Sequence, residues 1–254
     1  MSNFKIDLNC DLGESYGNYT LGMDQEVIPY ISSANIACGY HASDPVVMRK
    51  TVKLAYKHGV HIGAHTGFPD IMGFGRRNMH LTMEEAKAYT QYQIGALEGI
   101  CRAEGTKIYH VKPHGAFYNM AAKDYKLSKA ICEGIAEISD EIILLGLSNS
   151  EMMTAAAHTG IRACSEVFAD RAYQEDGSLV ARGISGAMIE DDEIAVKRVV
   201  RMVKEGLITS ISGKEISIDA GSVCVHGDGE KALDFVRKIS AKLKEEGIMI
   251  CAFS

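Results

Sequence analysis

Hydrophobic positions follow two alternating patterns along the chain. Short apolar runs of strand length are each followed by a stretch in which apolar residues recur three or four positions apart, the spacing of one helix face. Val47, Val52, Leu54 and Ala55 show this helical spacing. The predicted strands cover residues 4–9, 34–38, 61–65, 108–112, 142–147, 162–168, 222–226 and 248–252. The predicted helices cover residues 24–32, 45–58, 82–104, 125–138, 150–159, 193–205 and 229–246.

The alternation of strand and helix predicts parallel strands joined by right-handed helical crossovers. Helix boundaries agree with it, because Thr82 and Glu85 form a capping-box pattern and Gly59 and Gly105 follow predicted helix ends. There are seven or eight such units and no GxGxxG motif, which favours a closed barrel over an open dinucleotide-binding sheet. The length of 254 residues suits one barrel. We therefore expect a single α/β domain, a parallel β/α barrel, over residues 1–254.

The first predicted strand carries a polar face. Side chains alternate along a strand, so Asp7, Asn9 and Asp11 point to one side and the apolar residues between them to the other. Unpaired charge is too costly to bury, so this face is either wet or part of a site. A calcium loop is rejected, because Leu12 and Asn18 stand where an EF-hand needs glycine and glutamate.

Titratable residues also follow several other predicted strands, at the barrel end where function gathers. His41, His65, His114 and His226 each come just past a strand. They are candidates for acid–base chemistry or for metal ligation, and their spacing does not decide between these, since no HExxH pair is present. The remaining histidines are interpreted as structural or exposed: His58, His61, His80, His110 and His158.

Basic and glycine-rich stretches at strand ends complete the candidates. Lys112 ends a strand, where it could neutralise an anionic group or pack as a surface lysine, and Arg171 is a possible anion contact. Residues 227–229, Gly-Asp-Gly, open the last long helix but lack the Walker A pattern, so the residues alone do not indicate that this chain binds ATP. The long loop 169–192 is interpreted as a lid or a partner surface.

Composition narrows the class of protein. A net charge of −6 with dispersed basic residues argues against a nucleic-acid partner. The seven cysteines form no CxxC pair and mostly lie in apolar patterns, which is typical of free thiols in a reducing, cytoplasmic setting. The N-terminus has no signal-peptide pattern, and no run approaches the roughly 18 apolar residues of a membrane span.

Seven motifs occur together in one order. They are IDLNCDLGESYG (6–17), SANIACGYHASDP (33–45), GAHTGFPD (63–70), GFGRR (73–77), VKPHGAFYN (111–119), EVFADRAY (166–173) and VCVHGDG (223–229). This set resembles the LamB/YcsF family, the family of 5-oxoprolinase A subunits, from residue 6 to about residue 250. The resemblance implies a distorted parallel β/α barrel of about seven strands, related to glycoside hydrolases and deacetylases.

The resemblance also implies an activity. It is the ATP-dependent cleavage of 5-oxo-L-proline (pyroglutamate) to L-glutamate by a three-part enzyme, in which the A subunit works beside subunits B and C. In that scheme the partners phosphorylate the lactam oxygen, and the A subunit helps to hydrolyse the labile product.

Hydrolysis of an activated lactam needs a base for water, donors for the developing negative charge, and a proton for the ring nitrogen. Our hypothesis makes Asp11, with Asp7 nearby, the base or its orienter, and leaves open which one moves the proton. His41 and His65 would handle protons, and Lys112 and His114 would stabilise substrate oxygens. The expected substrate-binding residues are Asn9, Asn35, Asp170, Arg171 and His226.

Two alternatives stay open at this point. The first is a metal-dependent amidohydrolase or carbohydrate deacetylase on the same barrel, with Asp11, His41 and His65 as ligands. The second is a non-catalytic lactam-binding protein. Stoichiometric metal content would favour the first, and retention of binding after carboxylate substitution would favour the second.

Overall fold

The computed structural model describes residues 4–225 and 230–253, and strands alternate with helices through most of this part of the chain. The strands are β1 (Phe4–Leu12), β2 (Ser33–Ala37), β3 (His61–Thr66), β4 (His110–Pro113), β5 (Ile143–Leu147), β6 (Ala163–Phe168), β7 (Leu207–Thr209), β8 (Glu215–Ser217), β9 (Ser222–Val225) and β10 (Ile248–Ile250). The helices are α1 (Asp24–Val27), α2 (Pro45–Lys57), α3 (Met83–Ala103), α4 (Gly115–Ala121), α5 (Tyr125–Ala136), α6 (Glu151–Thr159), α7 (Asp192–Glu205) and α8 (Glu230–Glu245).

Seven parallel strands close into a barrel in the order β1-β2-β3-β4-β5-β6-β9, with β9 pairing back onto β1. The strand β10 lies outside this ring and pairs in parallel with the first residues of β1, Phe4 opposite Ile248. The parallel β/α barrel of about seven strands is therefore confirmed. Its carboxyl ends bring the loops after β1, β3, β4 and β6 to one face of the molecule.

Three local predictions were incomplete or wrong. The helix expected over 24–32 ends at Val27, and a 3₁₀ turn (Ile28–Tyr30) follows, because Pro29 cannot continue an α-helical hydrogen-bond ladder. The short helix α4 directly after β4 was missed, since seven residues carry too little periodicity. The antiparallel hairpin β7–β8 was also missed, because each strand has only three residues.

The main hydrophobic core lies between the barrel wall and the helices. Ile6, Leu8 and Cys10 point outward from β1 into this layer and are almost completely buried, together with Val52 of α2 and Ile94 of α3. The opposite strand faces point into the barrel, and many of them are polar. This arrangement reverses the usual aliphatic filling of a β/α barrel and leaves the interior for chemistry.

All seven cysteines are free, and six of them are buried. The six buried cysteines belong to hydrophobic clusters, whereas Cys251 is partly exposed. Within the described ranges, no helix combines the length and the apolar character that crossing a bilayer requires.

Candidate active site

The polar interior of the barrel is layered, and Asp7 belongs to the lowest layer. Ser32 and Ser33 donate to its Oδ1 at 2.6 and 2.7 Å, and Ser222 donates to its Oδ2. Burial raises the pKa of Asp7 to about 6, against the lowering effect of these hydroxyl donors. Asp11 lies four positions, about 13 Å of strand, beyond Asp7, and Asp7 does not line the cavity described below. Asp7 therefore does not lie beside Asp11 at the cavity, and its expected part in the proton work stays a prediction.

Amide and imidazole groups form the next layer. Asn35 donates from Nδ2 to the Oδ1 atom of Asn9 at 2.7 Å, and Asn9 donates to Glu166 Oε1 at 3.0 Å. The ring of His110 lies 2.7 Å from Asn35 Oδ1 and is fully buried. Burial lowers the pKa of His110 to about 3, so its ring stays neutral at ordinary pH. Asn9 and Asn35 therefore brace the site from below rather than line its cavity.

A buried ammonium group ties this layer to the one above. Lys112 Nζ lies 3.0 Å from Asp11 Oδ1, 2.8 Å from Glu166 Oε1 and 3.2 Å from Asn9 Oδ1. Burial opposes the charge on Lys112, but nearby Asp11, Cys224 and Glu166 outweigh it and raise the pKa of Lys112 well above its ordinary value. The side chain is only 3% exposed. Lys112 is therefore a fixed cation at the bottom of the site.

Asp11 and His65 form a pair at the carboxyl ends of β1 and β3. Asp11 Oδ1 is held by Asn35 Nδ2 at 2.8 Å, and Asp11 Oδ2 lies 3.2 Å from His65 Nε2. His65 Nδ1 lies 2.8 Å from the carbonyl oxygen of Lys112. A carbonyl only accepts, so Nδ1 carries a proton and Nε2 is the nitrogen that faces Asp11.

His114 and His41 stack in parallel beside this pair, with ring centroids 3.7 Å apart. His114 Nε2 donates to the carbonyl of Phe74 at 2.8 Å, while its Nδ1 lies 2.9 Å from His65 Nε2. Burial lowers the pKa of His114 to about 3 and the pKa of His41 well below its ordinary value. Glu14 Oε1 lies 3.3 Å from His41 Nε2 and 3.7 Å from His114 Nδ1.

Glycine allows the loop after β3 to approach the rings of His41 and His114. Gly75 has a φ of +62°, and a Cβ there would lie 2.7 Å from the Cβ of His41 and 2.8 Å from Cδ2 of His114. Neighbouring Phe74 has a φ of +52°, a conformation that costs free energy in a residue with a side chain. That conformation aims its carbonyl at His114. The GFGRR motif thus positions an imidazole.

A cavity of about 600 Å³ opens above these groups, which is a suitable size for a small metabolite. Asp11, Glu14, His65, Lys112 and His114 line it. The long segment between β6 and α7 supplies residues 178–182 to the lining. Arg171 fastens this segment by donating to the carbonyl oxygen of Val180 at 2.6 Å.

The predicted site residues occupy different positions relative to this cavity. Asp11, His65, Lys112, His114 and Arg171 line the cavity. His41 is fully buried behind the lining, and half-buried Asp170 is not part of it. His226 lies outside the described residues, as do residues 227–229.

Three residues at the site have no role among the predictions from the sequence. Glu14 follows β1 and Glu166 lies on β6, both within the quoted motifs, and Tyr118 lies on the missed helix α4. Tyr118 donates to Glu166 Oε2 at 2.7 Å and lines the cavity. The carboxylates were visible as polar residues at strand ends, whereas Tyr118 could not be placed without α4.

One group of side chains could hold a metal ion. Glu14, His41, His65 and His114 offer ligand atoms that all lie within 4.8 Å of one another. The sequence had suggested Asp11, His41 and His65 instead. Glu14 takes the place of Asp11 in this group, whereas Asp11 Oδ1 is engaged by Lys112 and Asn35.

Comparison with known proteins gives one consistent family. The chain is 64% identical over 247 residues to the 5-oxoprolinase A subunit of Clostridium beijerinckii, covering 97% of both chains. It is 54% identical over 251 residues to the 5-oxoprolinase A subunit of Bacillus subtilis, covering 99% of this chain and 98% of that one.

Two solved structures have a similar fold. The crystal structure of a lactam utilization protein from Thermus thermophilus superposes with a TM-score of 0.93 at 41% identity, over 98% of this chain and all of that one. A family 4 carbohydrate esterase from Streptomyces lividans has a TM-score of 0.51 at 12% identity, over 100% of this chain and 95% of that one, and shares the fold alone. The profile of the LamB/YcsF family matches residues 6–254. The chain therefore belongs to the LamB/YcsF family.

Proposed function

We propose that this chain is the A subunit of a 5-oxoprolinase, a hydrolase that opens the cyclic amide of 5-oxo-L-proline to give L-glutamate. The proposal includes ATP as the energy source, subunits B and C as partners, and a cytoplasmic enzyme in which residues 1–254 act as a single barrel domain. The relatives named as A subunits of 5-oxoprolinase, at 54–64% identity over nearly the whole chain, support it.

The single structural observation that carries the proposal is the pairing of Asp11 with His65 beside a buried cation, at a cavity of suitable size. Asp11 Oδ2 lies 3.2 Å from His65 Nε2 while Lys112 Nζ lies 3.0 Å from Asp11 Oδ1. Lys112 and Asn35 hold this carboxylate by one oxygen, and the other oxygen faces the imidazole of His65. A water molecule in the cavity beside Asp11 could be deprotonated by the pair.

The reaction assigned to this site begins with a substrate whose lactam oxygen has been phosphorylated. Water adds to the ring carbon of the substrate and loses a proton to the Asp11–His65 pair. The carbon–nitrogen bond then breaks, and the ring nitrogen takes up a proton. The resulting acyl phosphate is hydrolysed by a second water, which releases phosphate and glutamate. Lys112 and Asn35 hold Asp11 in position through these steps.

Positive side chains around the cavity suit an anionic substrate. Arg76, Lys123 and Arg182 belong to the lining, and each is exposed to solvent at the mouth. The substrate carries a carboxylate and, once activated, a phosphoryl group, which guanidinium and ammonium groups bind well. These residues are assigned to substrate capture.

The test is glutamate formation by this chain mixed with candidate B and C subunits, with ATP and 5-oxo-L-proline. Asp11→Asn should abolish glutamate release while the far-UV circular dichroism spectrum stays unchanged. Asp140→Asn, an exposed carboxylate on a loop, is the matched control and should be fully active. Normal turnover by Asp11→Asn would refute the assignment of the base.

A second candidate function is a metal-dependent amidohydrolase that needs no ATP, and the group of Glu14, His41, His65 and His114 favours it. The same assay separates the two functions. Hydrolysis by this chain alone, without ATP but with added zinc, would support the second and count against the first.

A further inference from the structure

Two imidazole rings at the site face each other with their unprotonated nitrogens. His65 Nδ1 is committed to the carbonyl oxygen of Lys112 at 2.8 Å, and His114 Nε2 to the carbonyl oxygen of Phe74 at 2.8 Å. Each carbonyl accepts only, so each of these nitrogens carries the proton of the neutral ring. His65 Nε2 and His114 Nδ1 then present lone pairs to each other across 2.9 Å.

Lone pairs at this distance repel unless a cation joins them. The surroundings add negative charge, because Glu14 Oε1 lies 3.7 Å from His114 Nδ1 and Asp11 Oδ2 lies 3.2 Å from His65 Nε2. Ligand atoms of Glu14, His65 and His114 thus lie within 4.8 Å of one another, and Asp11 adds negative charge beside His65. Either an extra proton or a metal ion can satisfy such an arrangement, and the number of acceptors favours the metal.

We propose that Glu14, His65 and His114 bind one divalent transition-metal ion, zinc by ligand preference, with a fourth coordination position open to the cavity. Two imidazoles and a carboxylate are a ligand set of catalytic zinc sites. Ligands bound to zinc at about 2.0–2.1 Å in a tetrahedron lie about 3.3 Å apart. The separations of 2.9 and 3.7 Å in the structure bracket this value. All three residues line the cavity.

The hydrogen-bond partners of the two histidine rings match those of metal-bound histidines. Metal-bound histidines commonly donate their other ring N–H to a backbone carbonyl, which fixes the tautomer and the ring orientation. Both rings have this bond. His41 does not line the cavity, and its Nε2 lies 3.3 Å from Glu14 Oε1, so it donates to Glu14 and orients that carboxylate. We therefore assign His41 as a positioning residue.

This site shares His65 with the reaction proposed above, but metal binding needs neither partner subunits nor ATP, so the two proposals are tested separately. The experiment uses the full chain after removal of metal with a chelator. Titration with zinc, followed by calorimetry and by metal analysis after gel filtration, should show one ion per chain. Titration with Co²⁺ should give the visible absorption bands of a four- or five-coordinate ion.

Variants assign the ligands. His114→Ala and Glu14→Gln should each weaken zinc binding by about 100-fold or more, with loss of the Co²⁺ bands. His158→Ala removes an exposed histidine whose ring contacts Tyr125, and this matched control should bind zinc like the wild type. Because His114→Ala could fail to fold, circular dichroism is recorded for each variant, and Glu14→Gln preserves the side-chain volume.

Two results would overturn the proposal. One is a folded wild-type chain that binds neither zinc nor Co²⁺ at one ion per chain, which would assign the imidazole pair to a shared proton. The other is unchanged affinity in folded Glu14→Gln. Failure of the chain to form glutamate with partner subunits would count against the proposed function only, since metal binding is measured without substrate.

Discussion

Lys112→Met removes the cation that holds two acidic side chains together inside the barrel. Methionine is unbranched and matches the four-atom apolar stem of lysine without its ammonium group, so the change is mainly one of charge. Lys112 Nζ lies 2.8 Å from Glu166 Oε1 and 3.0 Å from Asp11 Oδ1, and the Glu166 side chain is 0% exposed. The substitution therefore leaves a buried carboxylate without its counter-ion.

The magnitude follows from these distances. At an effective dielectric constant of about 20, two opposite charges about 2.8 Å apart attract by about 6 kcal/mol, and desolvation offsets part of this. Breaking a buried pair by removing one partner typically costs about 3–5 kcal/mol. We expect Lys112→Met to lose about that much unfolding free energy at pH 8.

The loss should shrink as the pH falls. In the variant two carboxylates lie in the barrel without their counter-ion, and protonation at low pH removes the free-energy cost of that uncompensated charge. The double variant Lys112→Met/Glu166→Gln should recover part of the loss, because it removes one of the stranded charges.

Urea unfolding followed by far-UV circular dichroism at pH 5 and pH 8 measures these differences, and the chain has no tryptophan to follow by fluorescence. Lys107→Met is the matched control. Its ion pair with Glu141 at 2.9 Å is exposed, so the unfolding free energy should hardly change. A loss below about 1 kcal/mol for Lys112→Met at pH 8, or an equal loss at both pH values, would refute the reasoning.

Two further predictions concern residues of the barrel strands that lie away from the cavity. The pKa of Asp7 is raised from 3.8 to about 6, so its contribution to stability is fully present below about pH 4 and lost as pH rises through 6. Asp7→Asn should therefore gain about 3 kcal/mol in unfolding free energy over wild type between pH 4 and pH 8, and a pH-independent difference in urea unfolding would contradict this. Gly63→Ala should destabilise by about 1–3 kcal/mol, because its Cβ would overlap the buried His110 ring. Gly95→Ala, on an exposed helix face with nothing within 4 Å, should instead stabilise by about 0.5–1 kcal/mol, and a similar thermal shift for both variants would be evidence against the clash.

Much of the fold could be read from local patterns. The capping box of Thr82 and Glu85 begins α3 as expected, and the strands and longer helices begin and end within a few residues of their predicted bounds. Local patterns failed where the signal was short or interrupted, as in α4, the β7–β8 hairpin and the turn at Pro29. A few residues carry too little periodicity to distinguish a helix or strand from a loop.

The sequence predicted which kinds of side chain form the candidate site, but not how these side chains are arranged. Titratable residues just past strands indicated a site at one end of the barrel, and Asp11, His65, Lys112 and His114 do line one cavity. Strand alternation placed Asp7 on the same face as Asp11 without saying that it lies in a lower layer, held by three serines.

The sequence by itself determined the alternation of strands and helices, the polar face of β1 and the family motifs, because each depends on neighbours along the chain. Only the tertiary structure decided which of these residues meet. Lys112 reaches Glu166 and His65 faces His114 because barrel closure and strand register bring distant segments together. Burial, pKa and tautomer depend on those encounters. The polar face of β1 thus contains a buried residue below the cavity, Asp7, and a candidate base at the cavity, Asp11.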